Sequence, residues 1–294
     1  MKLHRPFFVS VEPSAVCQLR CPECPVGMGK TAQREGNARF MSRAVWIRTL
    51  GEAAKTAYVM QFYFQGEPLL NKDLPTMIAE AHGAGLYTIV STNAQAMTEA
   101  VAEALVRAGL NRIIVSMDGL SEASYGAYRI GGSLQKCKDA LRYLSDAKKR
   151  LQSSIIIELQ CLRLRTNEHE WEAFRKEYRN LGADRLVFKS AQLYDYAEGH
   201  PLMPSEMRYS RYRKGADGRF YRKARMPWCL RVWNGVVITA TGEVLPCCYD
   251  KAHAYSYGNI MDAPLAQLVR NDKARAFIRA AQKEIPDICK ECWR

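Results

Sequence analysis

Between residue 6 and about residue 190, short β-like runs alternate with stretches of helical periodicity. The apolar or β-branched runs fall at 7–11, 58–64, 86–91, 112–117, 154–162 and 185–189. Between them, spacing predicts helices around 42–55, 73–84, 97–108, 133–150 and 169–181. Val101, Leu105 and Ala108 recur on one face, as do Leu134, Cys137, Leu141 and Leu144. Ser42, Thr98 and Ser133 stand where N-caps belong, since a short oxygen-bearing side chain can accept from a free amide of the first turn. Glycine-bearing turns such as Ala108-Gly109 and Leu181-Gly182 then lead into the next strand. Six strands alternating with helices predict a parallel α/β fold, either a doubly wound sheet or part of a β/α barrel. Periodicity alone leaves both open.

After residue 190 the alternation stops. Residues 205–225 hold eight Lys and Arg against Glu206 and Asp217, a local charge of +6, with Tyr209, Tyr212, Phe220 and Tyr221 interleaved. Such a run fits a solvated linker, or a surface for nucleic acid, an acidic peptide, a nucleotide-sugar or an acidic electron donor. Two short β runs meeting at Ala240-Thr241-Gly242 predict a hairpin. An amphipathic helix over roughly 262–283 follows, and Cys289-Lys-Glu-Cys292 closes the chain. The expected organisation is an α/β domain over 1–200, a basic aromatic linker over 201–228 and a small cysteine domain over 229–294.

The chain has 294 residues, 48% apolar and 25% charged, with a formal charge of +13. An ordinary apolar content excludes disorder for most of it. No window approaches 18 consecutive apolar residues, and Glu12 breaks the apolar opening too soon for a signal peptide, so no membrane association and a cytoplasmic location are expected. Ten cysteines then stand out, because a reducing compartment favours metal or redox roles over disulfides. Cys137 and Cys161 fall on apolar faces and are expected in the core. Cys17, Cys21 and Cys24 follow the first strand on one loop. Three thiolates so close can hold a cubic [4Fe–4S] cluster and leave its fourth iron open. A zinc knuckle lacking a fourth ligand fits the same spacing, and His4, the nearby histidine, lies on the wrong side of the strand. Cys229, Cys247, Cys289 and Cys292 can close around a second cluster or, equally by spacing, a zinc ion, and Cys248 could exchange with Cys247.

Cys17-x3-Cys21-x2-Cys24 resembles the signature of the radical S-adenosylmethionine (radical SAM) family, in which SAM chelates the open iron through its amino and carboxylate groups. Further matches follow successive strands, on the face where β/α barrels carry their sites. Gly66-Glu67-Pro68 resembles the segment that receives the SAM amino group, for which a carbonyl and a carboxylate are suited. The Ser91-Thr92-Asn93 stretch and Ser116-Met-Asp118-Gly119 resemble segments near SAM's polar groups. In Tyr125-x2-Tyr128-Arg129 the resemblance assigns Arg129 to the SAM carboxylate, which its planar fork can grip in two places. Glu23 departs from the pattern, since many members carry there an aromatic that packs on the adenine. The implied core is a partial (β/α)6 TIM-like barrel.

From Cys229 onward the chain is similar to the SPASM/twitch extension of that family, a hairpin followed by a helix that binds auxiliary [4Fe–4S] clusters. Trp233, Pro246-Cys247-Cys248 and Gly258-Asn259 share in the likeness. Because the chain ends at Arg294, before the further cysteines of the full pattern, it implies one auxiliary cluster on Cys229, Cys247, Cys289 and Cys292. The implied chemistry begins with an electron from a flavodoxin- or ferredoxin-like donor. SAM is cleaved to methionine and a 5′-deoxyadenosyl radical, which abstracts hydrogen from the substrate. The auxiliary cluster offers a sink for the substrate's electron, so oxidation or crosslinking of a small sugar-like or peptide substrate is expected. Sixteen residues before Cys17 are too few for an appended peptide-recognition domain, which leaves room for a separate partner. Alternatives are modification of RNA or of a ribosomally made precursor peptide, or a non-catalytic metal-binding interaction protein. Lys189, Tyr194, Asp195, Gln160 and Arg163 lie near the ends of the last two strands, and none is singled out as the catalytic base. Loaded with both clusters, the protein would carry a charge of roughly +10.

Overall fold

A computed structural model of the protein describes residues 6–30, 38–223, 229–283 and 285–290 together with Cys292. His4 and Arg225 lie outside these residues. The first half runs β1 (Phe8–Val11), α1 (Arg43–Ala53), β2 (Val59–Phe62), α2 (Leu74–Gly83), β3 (Tyr87–Thr92), α3 (Glu99–Arg107), β4 (Arg112–Ser116), α4 (Glu122–Gly126), α5 (Leu134–Arg150), β5 (Ile156–Arg163), α6 (Trp171–Glu177) and β6 (Arg185–Ser190). All three expected caps form: Ser42 accepts from Val45 N, Thr98 from Val101 N and Ser133 from Lys136 N. The short helix α4 was not expected from periodicity; Ser121 and Ser124 hold it by capping each other's backbone.

Strands β1 to β6 pair in chain order, and every pair is parallel. That order decides between the two α/β architectures. A doubly wound sheet reverses direction from a central strand, whereas right-handed crossovers in unbroken sequence put all helices on one side and curl the sheet. A partial barrel results. Alternation assigns the two faces. Val9, Val11, Met60, Phe62, Val90, Ile113, Val115, Ile157 and Leu159 are buried with helix residues such as Leu105, Leu141, Leu144 and Phe174. The opposite face, the barrel interior, carries Ser10, Gln61, Ser116, Glu158 and Gln160. It is polar enough to be a site rather than a second core.

The described part of the basic run has regular structure. β7 (Tyr212–Lys214) and β8 (Phe220–Arg222) form an antiparallel ribbon. Tyr212 is buried, stacks on Tyr196 at 4.2 Å between ring centroids, and its hydroxyl bonds the backbone of Leu193. Several cations serve the fold: Lys223 Nζ donates to the Met207 carbonyl at 2.6 Å and Arg222 Nε to the Tyr196 hydroxyl at 3.1 Å.

The chain continues through α7 (Leu230–Asn234), β9 (Gly235–Ile238), β10 (Val244–Leu245), α8 (Leu265–Leu268), α9 (Asp272–Lys283) and α10 (Asp287–Lys290). The hairpin forms as expected, but β9 also pairs in parallel with β1, from Phe8↔Gly235 to Val11↔Ile238. The sheet therefore has eight strands in the order β10-β9-β1-β2-β3-β4-β5-β6. The helix expected over 262–283 is split, because Asn271 turns its amide to the Tyr257 carbonyl and caps Ala274 N. Glu12 accepts from Ala240 N at 3.0 Å and Glu52 from Leu265 N at 3.1 Å, binding the C-terminal segment to the barrel. Among the described residues no helix is long and apolar enough to cross a membrane.

Because β9 covers an edge of β1, the two halves should unfold together. A urea titration followed by circular dichroism should give one transition for the full chain. The 1–228 fragment should aggregate or lose its cooperative transition. Two well-separated transitions, with a soluble folded fragment, would contradict this.

Candidate active site and cluster-binding loops

The loops after β1, β2 and β3 meet at the top of the barrel. Gly66 makes their closest approach possible: its φ is +72°, and a Cβ there would lie 2.4 Å from the Ser14 carbonyl oxygen. Glu67 N then donates to Val16 O at 2.8 Å, zipping the second loop to the first just ahead of Cys17. The Glu67 carboxylate is buried and accepts three bonds: Thr92 Oγ1 at 2.6 Å, Asn93 N at 2.8 Å and Leu69 N at 3.1 Å. Burial pushes its pKa up while those donors pull it down, and the upward push prevails. Asn93 carries the connection onward, giving Nδ2 to Cys17 Sγ at 3.3 Å and taking Gln18 Nε2 at 3.2 Å. Ala94 follows with φ +62°, unusual for a side chain with a Cβ, and is buried.

Cys17, Cys21 and Cys24 lie within electrostatic reach of one another, packed against Leu19, Tyr128, Leu193 and Leu202. Burial raises the Cys17 thiol and pushes Cys21 up to about 11. Gly27 turns the loop back on itself, since a Cβ there would meet the Cys21 carbonyl at 2.4 Å. The residues fit a three-thiolate cluster: Cys17 Sγ already receives Leu19 N at 3.4 Å as well as Asn93, donors of the kind that stabilise a thiolate. Among the described residues no three His, Cys, Asp or Glu side chains close around the position of a single ion.

Asp118 and Arg129 stand beside this loop as a buried ion pair, Nε to Oδ2 at 2.6 Å. Asp118 also accepts Leu162 N at 2.6 Å, so it is fixed to the start of the next loop. Arg129 has spent Nε on Asp118 and keeps the rest of its guanidinium for another anion. Ser116 ends β4 beside Gln160 of β5. Three donors tie the Glu67 carboxylate to the loops, and with about four acceptor sites it keeps room, beside the backbone carbonyls of the Gly66–Pro68 turn, for the ammonium group expected there. Glu23, the departure from the family pattern, accepts Tyr194 N at 2.6 Å and lies 3.2 Å from His200 Nε2, tying the cluster loop to the segment after β6.

In the C-terminal segment, Cys247 lies within electrostatic reach of Cys248, Cys289 and Cys292, and burial raises its pKa strongly. Its Sγ accepts Tyr249 N at 3.4 Å. Cys229 stands just before α7 and packs, with Cys289, against the main core. Cys248 stands on the barrel side, with Arg231 Nη1 3.9 Å from its sulfur and Tyr63 and Lys251 in its field. Cys137 and Cys161 are fully buried, as expected; Cys137 also bonds the Tyr125 hydroxyl at 3.3 Å. Of the polar residues near the last strands, Gln160 and Lys189 face the interior. Arg163 does not. Its guanidinium lies 4.1 Å from the Tyr209 ring, with Trp171 and Phe188 around it, on the helix side of the sheet. The Arg112–Glu158 interior pair and the cations Arg231 and Lys251 were missed by sequence reasoning, although a charged residue opening an apolar strand, as Arg112 does, was a usable signal.

Residues 11–159 match the family model of the radical SAM superfamily, and residues 229–293 match that of the SPASM iron–sulfur cluster-binding domain. The PqqA peptide cyclase of Xanthomonas campestris pv. campestris (strain 8004) is 25% identical over 308 residues, spanning 98% of this chain and 79% of the relative. That of Gluconobacter oxydans (strain 621H) is 26% identical over 297 residues, 95% of this chain and 80% of the relative. Among solved structures, BtrN in complex with AdoMet and 2-DOIA superposes with a TM-score of 0.59 at 18% identity, covering 98% of this chain and 93% of that one. Streptococcus suis SuiB bound to precursor peptide SuiA does so with a TM-score of 0.70 at 14% identity, covering 98% and 71%. At these identities the superpositions speak to the fold.

Glu67→Gln keeps the shape but sets an amide NH2 against backbone and hydroxyl donors. Urea denaturation should show a loss of about 1.5–3 kcal/mol. Thr92→Val, which removes one donor of the three, should cost about 1 kcal/mol. Wild-type stability in Glu67→Gln would show that the carboxylate does not hold the loops.

Proposed function

The chain belongs to the radical SAM superfamily, and from that premise we propose that it oxidises or crosslinks a peptide substrate in the barrel, with Cys17, Cys21 and Cys24 holding the SAM-binding cluster. The class is plain: this is an enzyme that uses SAM and [4Fe–4S] clusters, with a SPASM iron–sulfur domain after its barrel. Bound at the first cysteine loop, the cluster supplies the electron that cleaves SAM to methionine and a 5′-deoxyadenosyl radical.

The observation that carries the peptide reading is the alignment with PqqA peptide cyclases along nearly the whole chain, through both halves. The protein's own part is to position SAM and shield the radical. In this reading the Gly66–Pro68 backbone takes the SAM ammonium, Arg129 takes its carboxylate while Asp118 holds the guanidinium in place, and Thr92, Asn93 and Ser116 border the cofactor. Tyr128, Leu193, Leu202 and Tyr212 pack around the same loop and keep water from it. Cys229, Cys247, Cys289 and Cys292 hold the auxiliary cluster, with Cys247 favoured over Cys248 by its neighbours Cys289 and Cys292. A flavodoxin- or ferredoxin-like donor completes the system, and the exposed Arg213 and Lys214 of the ribbon suit an acidic one.

Anaerobically reconstituted protein should hold roughly seven to eight irons and release 5′-deoxyadenosine from SAM under dithionite. Cys17→Ala, Cys21→Ala and Cys24→Ala should each reduce that release to background. Incubation with short precursor peptides encoded beside this protein should yield a product lighter by two hydrogens, read by mass spectrometry. Oxidation of a free polyol with no response to peptide would refute the peptide reading and leave the class intact.

A further inference from the structure

Strand alternation brings a set of charges into the barrel that the cluster chemistry does not use. On β6 the Phe188 ring packs outward on α6, 6.1 Å from Phe174 and 6.3 Å from Trp171 between centroids, so its neighbour Lys189 points inward. On β4 and β5 the fully buried Ile113, Ile157 and Leu159 belong to the outer core, which turns Arg112 and Glu158 inward, where they form an ion pair. Glu158 is 1% exposed.

Three further cations arrive from the second half of the chain. Arg211, at the start of the ribbon, is fixed by bonds of 3.0 Å from Nε to the Ser190 carbonyl and from Nη1 to the Tyr249 hydroxyl. Arg231 of α7 lies over the Phe8 ring, 5.6 Å from its centroid, and beside Cys248. Lys251, beyond the hairpin, lies in the field of Cys24, Cys248 and Arg211. Lys189 in turn lies in the field of Glu158, Arg112, Arg231 and Arg211, so the five cations form one group. Among the described residues, Lys189, Arg211, Arg231 and Lys251 have no carboxylate at ion-pair distance; Glu158 is taken by Arg112. Lys189 remains open to solvent though flanked by protein, and that crowding, with its cationic neighbours, pulls its ammonium below the usual lysine range.

Gathering like charges along the inside of a low-dielectric barrel is unfavourable unless an anion joins them. The two loaded clusters bring about −1 and −2, and SAM's net positive charge stands against Glu67. On that count about one positive charge stays uncompensated. A neutral polyol would gain nothing from it, and a basic segment would be repelled.

We propose that this interior selects a peptide segment bearing aspartate or glutamate, whose carboxylates are held inside the barrel by Lys189, Arg211, Arg231 and Lys251. The proposal rests on the reading that the barrel takes a peptide. It adds what that peptide must carry.

The test uses reconstituted holoenzyme with SAM and three fluorescein-labelled, end-blocked octapeptides of alternating Glu-Gly, Gln-Gly and Lys-Gly, read by anisotropy. The Glu peptide should bind about tenfold more tightly than the Gln peptide, and the advantage should shrink at high salt. Lys189→Met and Lys251→Met should each cut it to about threefold or less, and Lys189→Arg should keep it. Equal binding of the Glu and Gln peptides, or tighter binding of the Lys peptide, would overturn the proposal; this wild-type comparison needs no variant to fold. An acid preference untouched by both Met variants would place recognition elsewhere and overturn it too. Release of 5′-deoxyadenosine in the same samples reports the enzyme class separately. Protein that cleaves SAM yet ignores peptide charge refutes this inference alone.

Discussion

The top of the barrel is organised around one buried carboxylate. Glu67 brings together donors from its own turn and from the end of β3, while its backbone amide fastens the loop that leads into Cys17. A carboxylate taken from water is costly unless its lone pairs are filled, so those donors and the acid require each other. Asn93, once placed by Glu67, places the Cys17 sulfur and Gln18. Three loops from three strands thus share one hub. The position of the first cysteine loop is a consequence of it.

The second half of the chain adds to the same body. Since β9 lengthens the barrel sheet beside β1, Cys247 and its neighbours are held against the barrel by the sheet's hydrogen bonds. The ribbon then roofs the opposite edge, with Tyr212 driven into the apolar cluster that surrounds Cys21. What looks along the chain like a core, a strap and an appendage therefore shares one sheet, and strands β4, β5 and β6, the start of the ribbon and α7 each bring a charge to its inner side.

Features set by local chemistry were legible in the sequence. The six strands, the caps at Ser42, Thr98 and Ser133 and the hairpin at Thr241-Gly242 all depend on residues within a few positions of each other. So did the cysteine spacing, because a cluster loop must present its ligands from consecutive turns. The rest depends on partners far away in sequence. Nothing near Glu67 says that its side chain turns inward to Thr92 and Asn93. Nothing near Asn271 announces the Tyr257 carbonyl that breaks the helix there. Arg163 is a different lesson: it shares the odd-numbered, outward face of β5 with Cys161 and Leu159, and counting by twos along the strand would have removed it from the cavity.

Charge links these levels. A formal +13 says little until the structure separates cations tied down in the ribbon from those gathered inside the barrel. The proposed chemistry requires two four-iron clusters in unlike sites, one with an iron open to SAM and one fully ligated by cysteine. Electron paramagnetic resonance of the dithionite-reduced protein, with and without SAM, tests it most directly. Two overlapping [4Fe–4S]+ signals are expected, of which SAM shifts one, and Cys17→Ala removes that one while sparing the other. A spectrum that SAM leaves unchanged, or a protein that binds zinc and gives no signal, would contradict the claim.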